Sequence, residues 1–142
     1  MYNKLNEYLS DINVMYVKLH NLHWNVVGSD FKSVHEYLEV LYNSFAEVYD
    51  SVAEIMIMQG QRPYASIKQY LGTTSIKEIE SKDYKVKEVL DIVGNDIKTL
   101  RDKAIEIRSL AVDNDNYLVI NHIESDLGNY DKTLWFINSM KK

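Results

Sequence analysis

The segment from residue 19 to residue 39 is dense in side chains that can ligate a metal ion. Its sequence, LHNLHWNVVGSDFKSVHEYLE, contains three of the four histidines of the chain. Trp24 directly follows His23, and Glu39 lies one helical turn after His35. Imidazole nitrogens and carboxylate oxygens together suit Fe(II), Mn(II) or Zn(II). This segment is therefore a candidate for metal chemistry, but it lacks the acidic partners that would complete a site.

Further carboxylates lie on the same flank of the second predicted helix. With His35 at zero on a helical wheel, Glu39 falls at about 40°. Asp50 and Glu54 fall at about 60° and 100° on the same wheel. His35 and Asp50 are 15 residues apart, which corresponds to about 22 Å along a helix axis. The two pairs therefore cannot ligate one metal ion within a single chain.

A second copy of the chain would supply the missing ligands. His23 lies five residues before Gly28 and His35 seven residues after it, so an antiparallel hairpin places the two histidines at comparable heights. If a second copy packs the same helix antiparallel across a two-fold axis, its Asp50 and Glu54 arrive beside the first chain's His35. The carboxylate majority of this combined set favours a hard, redox-active ion such as iron over structural zinc.

Plainer interpretations of these residues remain open. Acids along one helix flank are typical of a solvated face, and a core-facing histidine such as His23 is typical of a hydrogen-bonded buried side chain. His20 and His122 have no assembled partners and are interpreted as structural or surface residues. Trp24 is either a packing residue or a donor that holds a bound water or oxidant. A di-iron site inside the bundle is disfavoured, since no histidine has a glutamate three positions before it.

The elements that position these residues are predicted to be helices. Apolar residues recur at spacings of three and four, which is typical of amphipathic helices and of an all-α fold. A turn at 27–31 ends the first helix, with Gly28 suited to a left-handed cap and Ser29 or Asp30 suited to the next N-cap. The second helix is predicted from about Phe31 to Gln59. The core-facing series of the first helix is Leu5, Leu9, Ile12, Tyr16, Leu19 and His23.

A long connection, 60–83, follows the second helix and carries a predicted short helix at Ala65–Leu71, stopped by Gly72. Because such a connection can cross the bundle, the third helix is expected to run parallel to the second. The last two helices are separated by a turn at 112–116. The sequence thus predicts a four-helix bundle with one long crossover, the ferritin-like arrangement. The predicted core positions of the last helix are Tyr117, Ile120, Leu127, Tyr130, Leu134 and Ile137.

Composition limits the other possibilities. A chain of 142 residues with 46% hydrophobic content is expected to form one domain, 1–142. The absence of cysteine excludes disulfides, thiolate zinc sites and iron–sulfur clusters. No apolar run reaches the length of a membrane span, and the start lacks a signal-peptide pattern, so a cytoplasmic location is expected. The net charge of −5 and the scattered basic residues disfavour tight binding to DNA.

The residues from 18 to 54, KLHNLHWNVVGSDFKSVHEYLEVLYNSFAEVYDSVAE, resemble the signature of the Dps-type mini-ferritins. In that signature His-Trp is followed by a glycine, a phenylalanine, a second histidine twelve residues after the first, an acid four residues later, and then Asp-x-x-Ala-Glu. Weaker similarity extends over the whole chain, including RPYASIKQYL in the long connection and DKTLWFI at 131–137.

The resemblance implies a hollow dodecameric shell with a ferroxidase centre at each two-fold interface. Such an enzyme oxidises Fe(II) with hydrogen peroxide or oxygen at a mono-iron or di-iron centre, stores ferric mineral, and protects against oxidative damage. One subunit would contribute His23, His35 and Glu39 as metal ligands. Its mate would contribute Asp50 and Glu54.

Some residues follow the family pattern and others depart from it. Trp24 matches the tryptophan beside the family's centre. Glu39 stands where many members have aspartate, and Ile55 stands where an arginine commonly follows Ala-Glu. Asn121 lies where relatives line an iron-entry pore with aspartates. Because Tyr2 to Leu5 leads directly into the first predicted helix, no lysine-rich N-terminal extension of the kind by which some members bind DNA is expected. Two alternative functions are carried forward: a DNA-compacting protein of the nucleoid, and a structural or interaction bundle without catalysis.

Overall fold

Four long helices and one short helix make up the structure, a computed structural model that describes residues 1–142. The all-α prediction of a ferritin-like bundle with a short extra helix in the long connection is confirmed. No helix has the length and apolar character that crossing a membrane requires. The elements in chain order are α1 (Tyr2–Asn25), β1 (Val26–Val27), α2 (Phe31–Met58), α3 (Ile67–Thr73), β2 (Tyr84–Lys85), α4 (Val86–Asp113) and α5 (Tyr117–Met140).

The turn between α1 and α2 differs in detail from the sequence prediction. Gly28 has a positive φ of 126°, which an L side chain rarely adopts. The helix itself already ends at Asn25, and Val26 is its C-cap. Asp30 occupies the N-cap of α2, but its side chain accepts no capping hydrogen bond. The turn is instead closed by the backbone, with the Phe31 amide donating to the Gly28 carbonyl at 3.1 Å.

A two-stranded parallel sheet, which the sequence pattern does not predict, fixes the direction of α4. Val26 pairs with Tyr84, and Val27 pairs with Lys85. Each strand is only two residues long, so it has no measurable alternation of polar and apolar residues. Because β2 leads directly into α4 beside the end of α1, α4 starts at that end of the bundle. It therefore runs antiparallel to α1 and parallel to α2, as the long connection predicts.

The long connection is anchored to the bundle through one buried carboxylate. Asp11 is fully buried in α1 and accepts hydrogen bonds from the Thr74 hydroxyl and the Ser75 amide, both at 2.7 Å. Lys103 of α4 donates to the same carboxylate at 2.7 Å. The predicted short helix is present but shifted, since its N-cap is Ser66 and Gly72 lies inside it.

The core-facing residues of α5 are only partly those that the sequence predicts. Tyr117 is 74% exposed and does not belong to the core. Two of the buried positions of α5, Asp126 and Thr133, are polar, so a pattern based on apolar residues alone does not include them. The buried positions of this helix follow the spacing 4-3-4-3-4 and are Val119, Ile123, Asp126, Tyr130, Thr133 and Ile137.

Candidate metal centre

His23 and His35 exchange hydrogen bonds across the α1–α2 hairpin. The Nδ1 of His23 lies 2.7 Å from the carbonyl oxygen of His35, and the Nδ1 of His35 lies 2.7 Å from the carbonyl oxygen of His23. A carbonyl can only accept, so each Nδ1 carries the proton and donates. In the neutral imidazole the lone pair is then on Nε2. The hairpin thus fixes two imidazoles in the tautomer that leaves Nε2 available to a metal ion.

The two imidazole rings are stacked and sit among aromatic side chains. Their centroids are 3.7 Å apart with an interplanar angle of 13°. Phe31 also stacks on His35, with ring centroids 5.1 Å apart, and Tyr42 meets the ring of His23 edge-on, with centroids 5.3 Å apart. His23 is only 7% exposed. The sequence spacing predicts that these histidines lie at one height, and the structure confirms that they are neighbours.

Glu39 lies one turn along α2 and is held by Tyr42. The Tyr42 hydroxyl donates to Oε1 of Glu39 at 3.1 Å. Partial desolvation, and then the hydrogen bond to this carboxylate, raise the pKa of Tyr42, so the phenol is protonated and acts as the donor near neutral pH. His20 stacks on the Tyr42 ring with centroids 3.8 Å apart. His20, which is interpreted from sequence as structural or surface, therefore packs on Tyr42. Tyr42 in turn contacts His23 and Glu39.

Asp50 and Glu54 lie on the exposed surface of α2. Within one chain, no three histidine, aspartate or glutamate side chains converge closely enough to hold a metal ion. The histidine pair with Glu39 at one end of α2, and the acid pair further along it, are therefore two separate groups of donors. Nitrogen and carboxylate oxygen donors of this kind fit a divalent iron ion chemically.

Trp24 does not pack into the core of the chain. It is 70% exposed and lines a surface cleft of about 360 Å³ together with Tyr16, Val17 and His20. The ring centroid of Trp24 lies 5.6 Å from that of His20. This exposure excludes packing of Trp24 in the core of one chain, and its role beside a bound water or oxidant stays a prediction. The indole lies at the edge of the cleft, beside the ring of His20.

His122 lies beside a buried polar network that is remote from these residues. Its Nε2 lies 3.1 Å from Oδ2 of Asp126, and the hydroxyl of Tyr8 donates to the same oxygen at 2.9 Å. Tyr8 also hydrogen-bonds Tyr130. Burial, followed by the charge of its neighbours, raises the pKa of Tyr8 well above its ordinary value. The hydrogen bonds of Tyr8 join α1 to α5. The Nε2 of His122 is buried against this network without a hydrogen-bond partner of its own.

Comparison with known proteins places the chain in a family. The ferritin-like domain matches residues 2–141. Antigen TpF1 of Treponema pallidum is 31% identical over 98% of this chain and 78% of its own length, and its crystal structure superposes with a TM-score of 0.96 over 99% of this chain and 90% of that one. The DNA protection during starvation protein of Listeria monocytogenes is 30% identical over 95% of this chain and 87% of its own length.

A Dps protein from Bacillus brevis gives a similar structural match. Its crystal structure is 29% identical to this chain, with a TM-score of 0.94 over 98% of this chain and 93% of that one. The likeness covers nearly the whole length on both sides, so it includes the short helix as well as the four long ones. The chain belongs to the ferritin-like family and is a mini-ferritin of the Dps type.

Proposed function

We propose that the protein oxidises Fe(II) at centres shared between two subunits and stores the ferric product, so that it protects the cell against oxidative damage. The observation that carries this proposal is the reciprocal pairing of His23 and His35, which holds both Nε2 lone pairs free beside the Glu39 flank of α2. Membership of the ferritin-like family supports iron handling, and relatives named for protection during starvation support the protective role.

The geometry of α2 supports a centre at a two-fold interface. His23, His35 and Glu39 would be ligands from one subunit, and Asp50 and Glu54 would be ligands from its partner. The separation of about 22 Å along α2 keeps the two groups apart in one chain, whereas an antiparallel partner helix brings them together. The exposure of the acid pair on the free chain is what this arrangement requires.

Each group of this centre has a chemical role in the oxidation. The imidazoles bind Fe(II) through neutral nitrogens, and the carboxylates stabilise the harder Fe(III) product. Two Fe(II) ions each lose one electron, and one hydrogen peroxide molecule takes both electrons with two protons to give two water molecules. Oxygen is the alternative oxidant. Trp24 is placed by this proposal at the edge of the centre, where its indole N–H would hold a water or the oxidant.

Beyond the dimer, the proposal includes a closed homo-oligomeric shell, a dodecamer, that encloses the ferric mineral. The two-fold contact alone would give dimers, so further contacts between subunits must close the shell. Binding to duplex DNA would be weak or absent, because the net charge is −5. DNA compaction is therefore the less favoured function, despite the names of relatives such as the Listeria monocytogenes protein.

Fe(II) oxidation followed in the near ultraviolet tests the proposed function. The purified protein should oxidise added Fe(II) faster than buffer alone, with oxygen or with hydrogen peroxide, and the iron should coelute with the protein on gel filtration. The elution volume would also report the assembly, since a dodecameric shell elutes far from the 16.6 kDa single chain. A monomer that neither accelerates oxidation nor retains iron would favour the alternative of a purely structural bundle.

A further inference from the structure

Tyr42 contacts two of the three side chains that one subunit would contribute to the proposed centre. Its hydroxyl donates to Oε1 of Glu39 at 3.1 Å. Its ring meets the ring of His23 edge-on, with centroids 5.3 Å apart and an interplanar angle of 85°. Tyr42 therefore connects a carboxylate of α2 to an imidazole of α1, although it is not itself among the predicted ligands.

The ring of Tyr42 is fixed from behind by His20. The two rings stack with centroids 3.8 Å apart and an interplanar angle of 25°. His20 is anchored in turn, because its Nδ1 lies 2.8 Å from the carbonyl oxygen of Tyr16 and donates to it. Because the ring is restrained in this way, the Tyr42 hydroxyl keeps a fixed direction and points at the Glu39 carboxylate.

We propose that Tyr42, supported by His20, is a positioning residue that holds Glu39 as a one-oxygen ligand for the substrate iron. Donation to Oε1 leaves Oε2 for the cation. A glutamate on an exposed helix surface otherwise samples several rotamers, and fixing it in advance lowers the entropy cost of binding. This inference rests on the proposed function, because it assigns Tyr42 a part in the same centre.

Binding of Co(II) to the assembled protein under anaerobic conditions tests the role of Tyr42 without any oxidation step. Tyr42→Phe keeps the ring and its stacking but removes the hydroxyl. We expect it to raise the Kd for Co(II) about tenfold, as loss of a partner to a metal ligand commonly does. The visible absorption of bound Co(II), which reports its ligand geometry, should also change.

Tyr49→Phe is the matched control. Tyr49 lies two helical turns further along α2 and is also half-buried, but its hydroxyl bonds to the Tyr70 hydroxyl at 2.6 Å and not to a candidate ligand. Its removal should leave Co(II) affinity and the Co(II) spectrum as in the wild type. Equal weakening by both variants would show that loss of any tyrosine hydroxyl on α2 disturbs the fold, and would overturn the assignment.

A double-mutant cycle separates action through Glu39 from a general effect. Glu39→Asp shortens the side chain by one methylene, so the carboxylate falls about 1.5 Å short of the Tyr42 hydroxyl. Tyr42→Phe should therefore cost about tenfold in the wild-type background and almost nothing in the Glu39→Asp background. The same cost in both backgrounds would contradict the inference, as would wild-type affinity in the single Tyr42→Phe variant.

The failure of this inference is distinguishable from failure of the proposed function. Wild-type protein that binds no Co(II), or a His35→Ala variant that binds it as tightly as the wild type, would remove the proposed centre and the inference with it. Wild-type binding that is lost in His35→Ala but unchanged in Tyr42→Phe would leave the centre in place and contradict only the role of Tyr42.

Discussion

For single residues, the pair His23 and His35 shows which features the sequence spacing predicts and which it does not. Their positions on either side of Gly28 predict that they lie at one height of the hairpin. The exchange of Nδ1 hydrogen bonds with the opposite carbonyls is not predictable from spacing, because it depends on where the helix ends and how the turn closes. The same holds for Tyr42 and His20, whose contacts arise from packing between two helices.

Glu54 provides a test of the predicted ligands at this scale. Glu54→Gln should slow the initial oxidation of Fe(II) at least about tenfold, because an amide is a poorer ligand than a carboxylate for a hard cation. The fold of the single chain should be nearly unchanged, within about 0.5 kcal/mol, because the side chain is exposed on the free chain. Far-ultraviolet circular dichroism and gel filtration check that the variant folds and assembles as the wild type does. Glu47→Gln is the control, an exposed glutamate of the same helix that is not a predicted ligand. Equal rates in the two variants would contradict the assignment of Glu54.

At the scale of elements, helical periodicity predicts the four long helices but not their finer features. The pairing of β1 with β2 joins segments 58 residues apart, and nothing local signals it. The stripe of α5 is missed in part because Asp126 and Thr133 occupy buried positions that apolar counting passes over. Asp126 accepts a hydrogen bond from Tyr8 of α1, and such a long-range pair has no local sequence signal. The Thr133 hydroxyl donates to the Asn129 carbonyl one turn earlier in the same helix.

The Tyr8 hydroxyl links α1 to α5 through hydrogen bonds to Asp126 and Tyr130. Tyr8→Phe removes the donor to buried Asp126 and should lower the free energy of unfolding by about 1–3 kcal/mol. Urea unfolding measures the change. Tyr2→Phe is the control, since the Tyr2 hydroxyl donates to Gln59 at 2.9 Å at a half-buried position and should contribute less. A larger loss in the control would contradict this role of the network.

The same network gives stability a dependence on alkaline pH. The pKa values of Tyr8 and Tyr130 are raised in the folded protein, mainly by burial. Above about pH 10 the unfolded chain releases these protons while the folded chain retains them, so the free energy of unfolding falls as pH rises. Urea unfolding between pH 8 and about pH 11 should show this decline, and Tyr8→Phe should make it shallower. A pH-independent stability in this range would contradict the prediction.

At the scale of the whole molecule, one chain gathers no three histidine or acidic side chains into a metal-binding cluster, and it carries a net negative charge. The sequence predicts the family and the bundle, because helix periodicity and the spacing from His23 to Glu54 can be recognised without any tertiary structure. The proposed interface between copies would form only in an assembly, so neither the sequence pattern nor the single chain determines it directly. Predictions at this scale therefore concern partners.

Duplex DNA should bind weakly or not at all at neutral pH and about 0.15 M salt, because contacts with phosphate dominate non-specific affinity and the chain carries −5. A mobility-shift titration measures this. A salt-sensitive shift at submicromolar protein would contradict the prediction and would favour DNA compaction. Truncation of Lys141 and Lys142 is the control, since it tests whether the assembly gathers the terminal lysines into a basic patch.

Complementation between two inactive variants tests the shared centre most directly. His35→Ala and Asp50→Ala should each abolish fast Fe(II) oxidation, because each removes a ligand. Assembly should stay largely intact, because Asp50 is exposed, His35 is half-buried, and neither belongs to the buried apolar core. When the two variants are reassembled together, each mixed dimer has one site with both lesions and one site with all its ligands, so about one quarter of the wild-type rate should return. A centre confined to one chain would give no rescue at all, since every chain would still carry a lesion. Absence of rescue, or full activity of both single variants, would contradict the intersubunit centre.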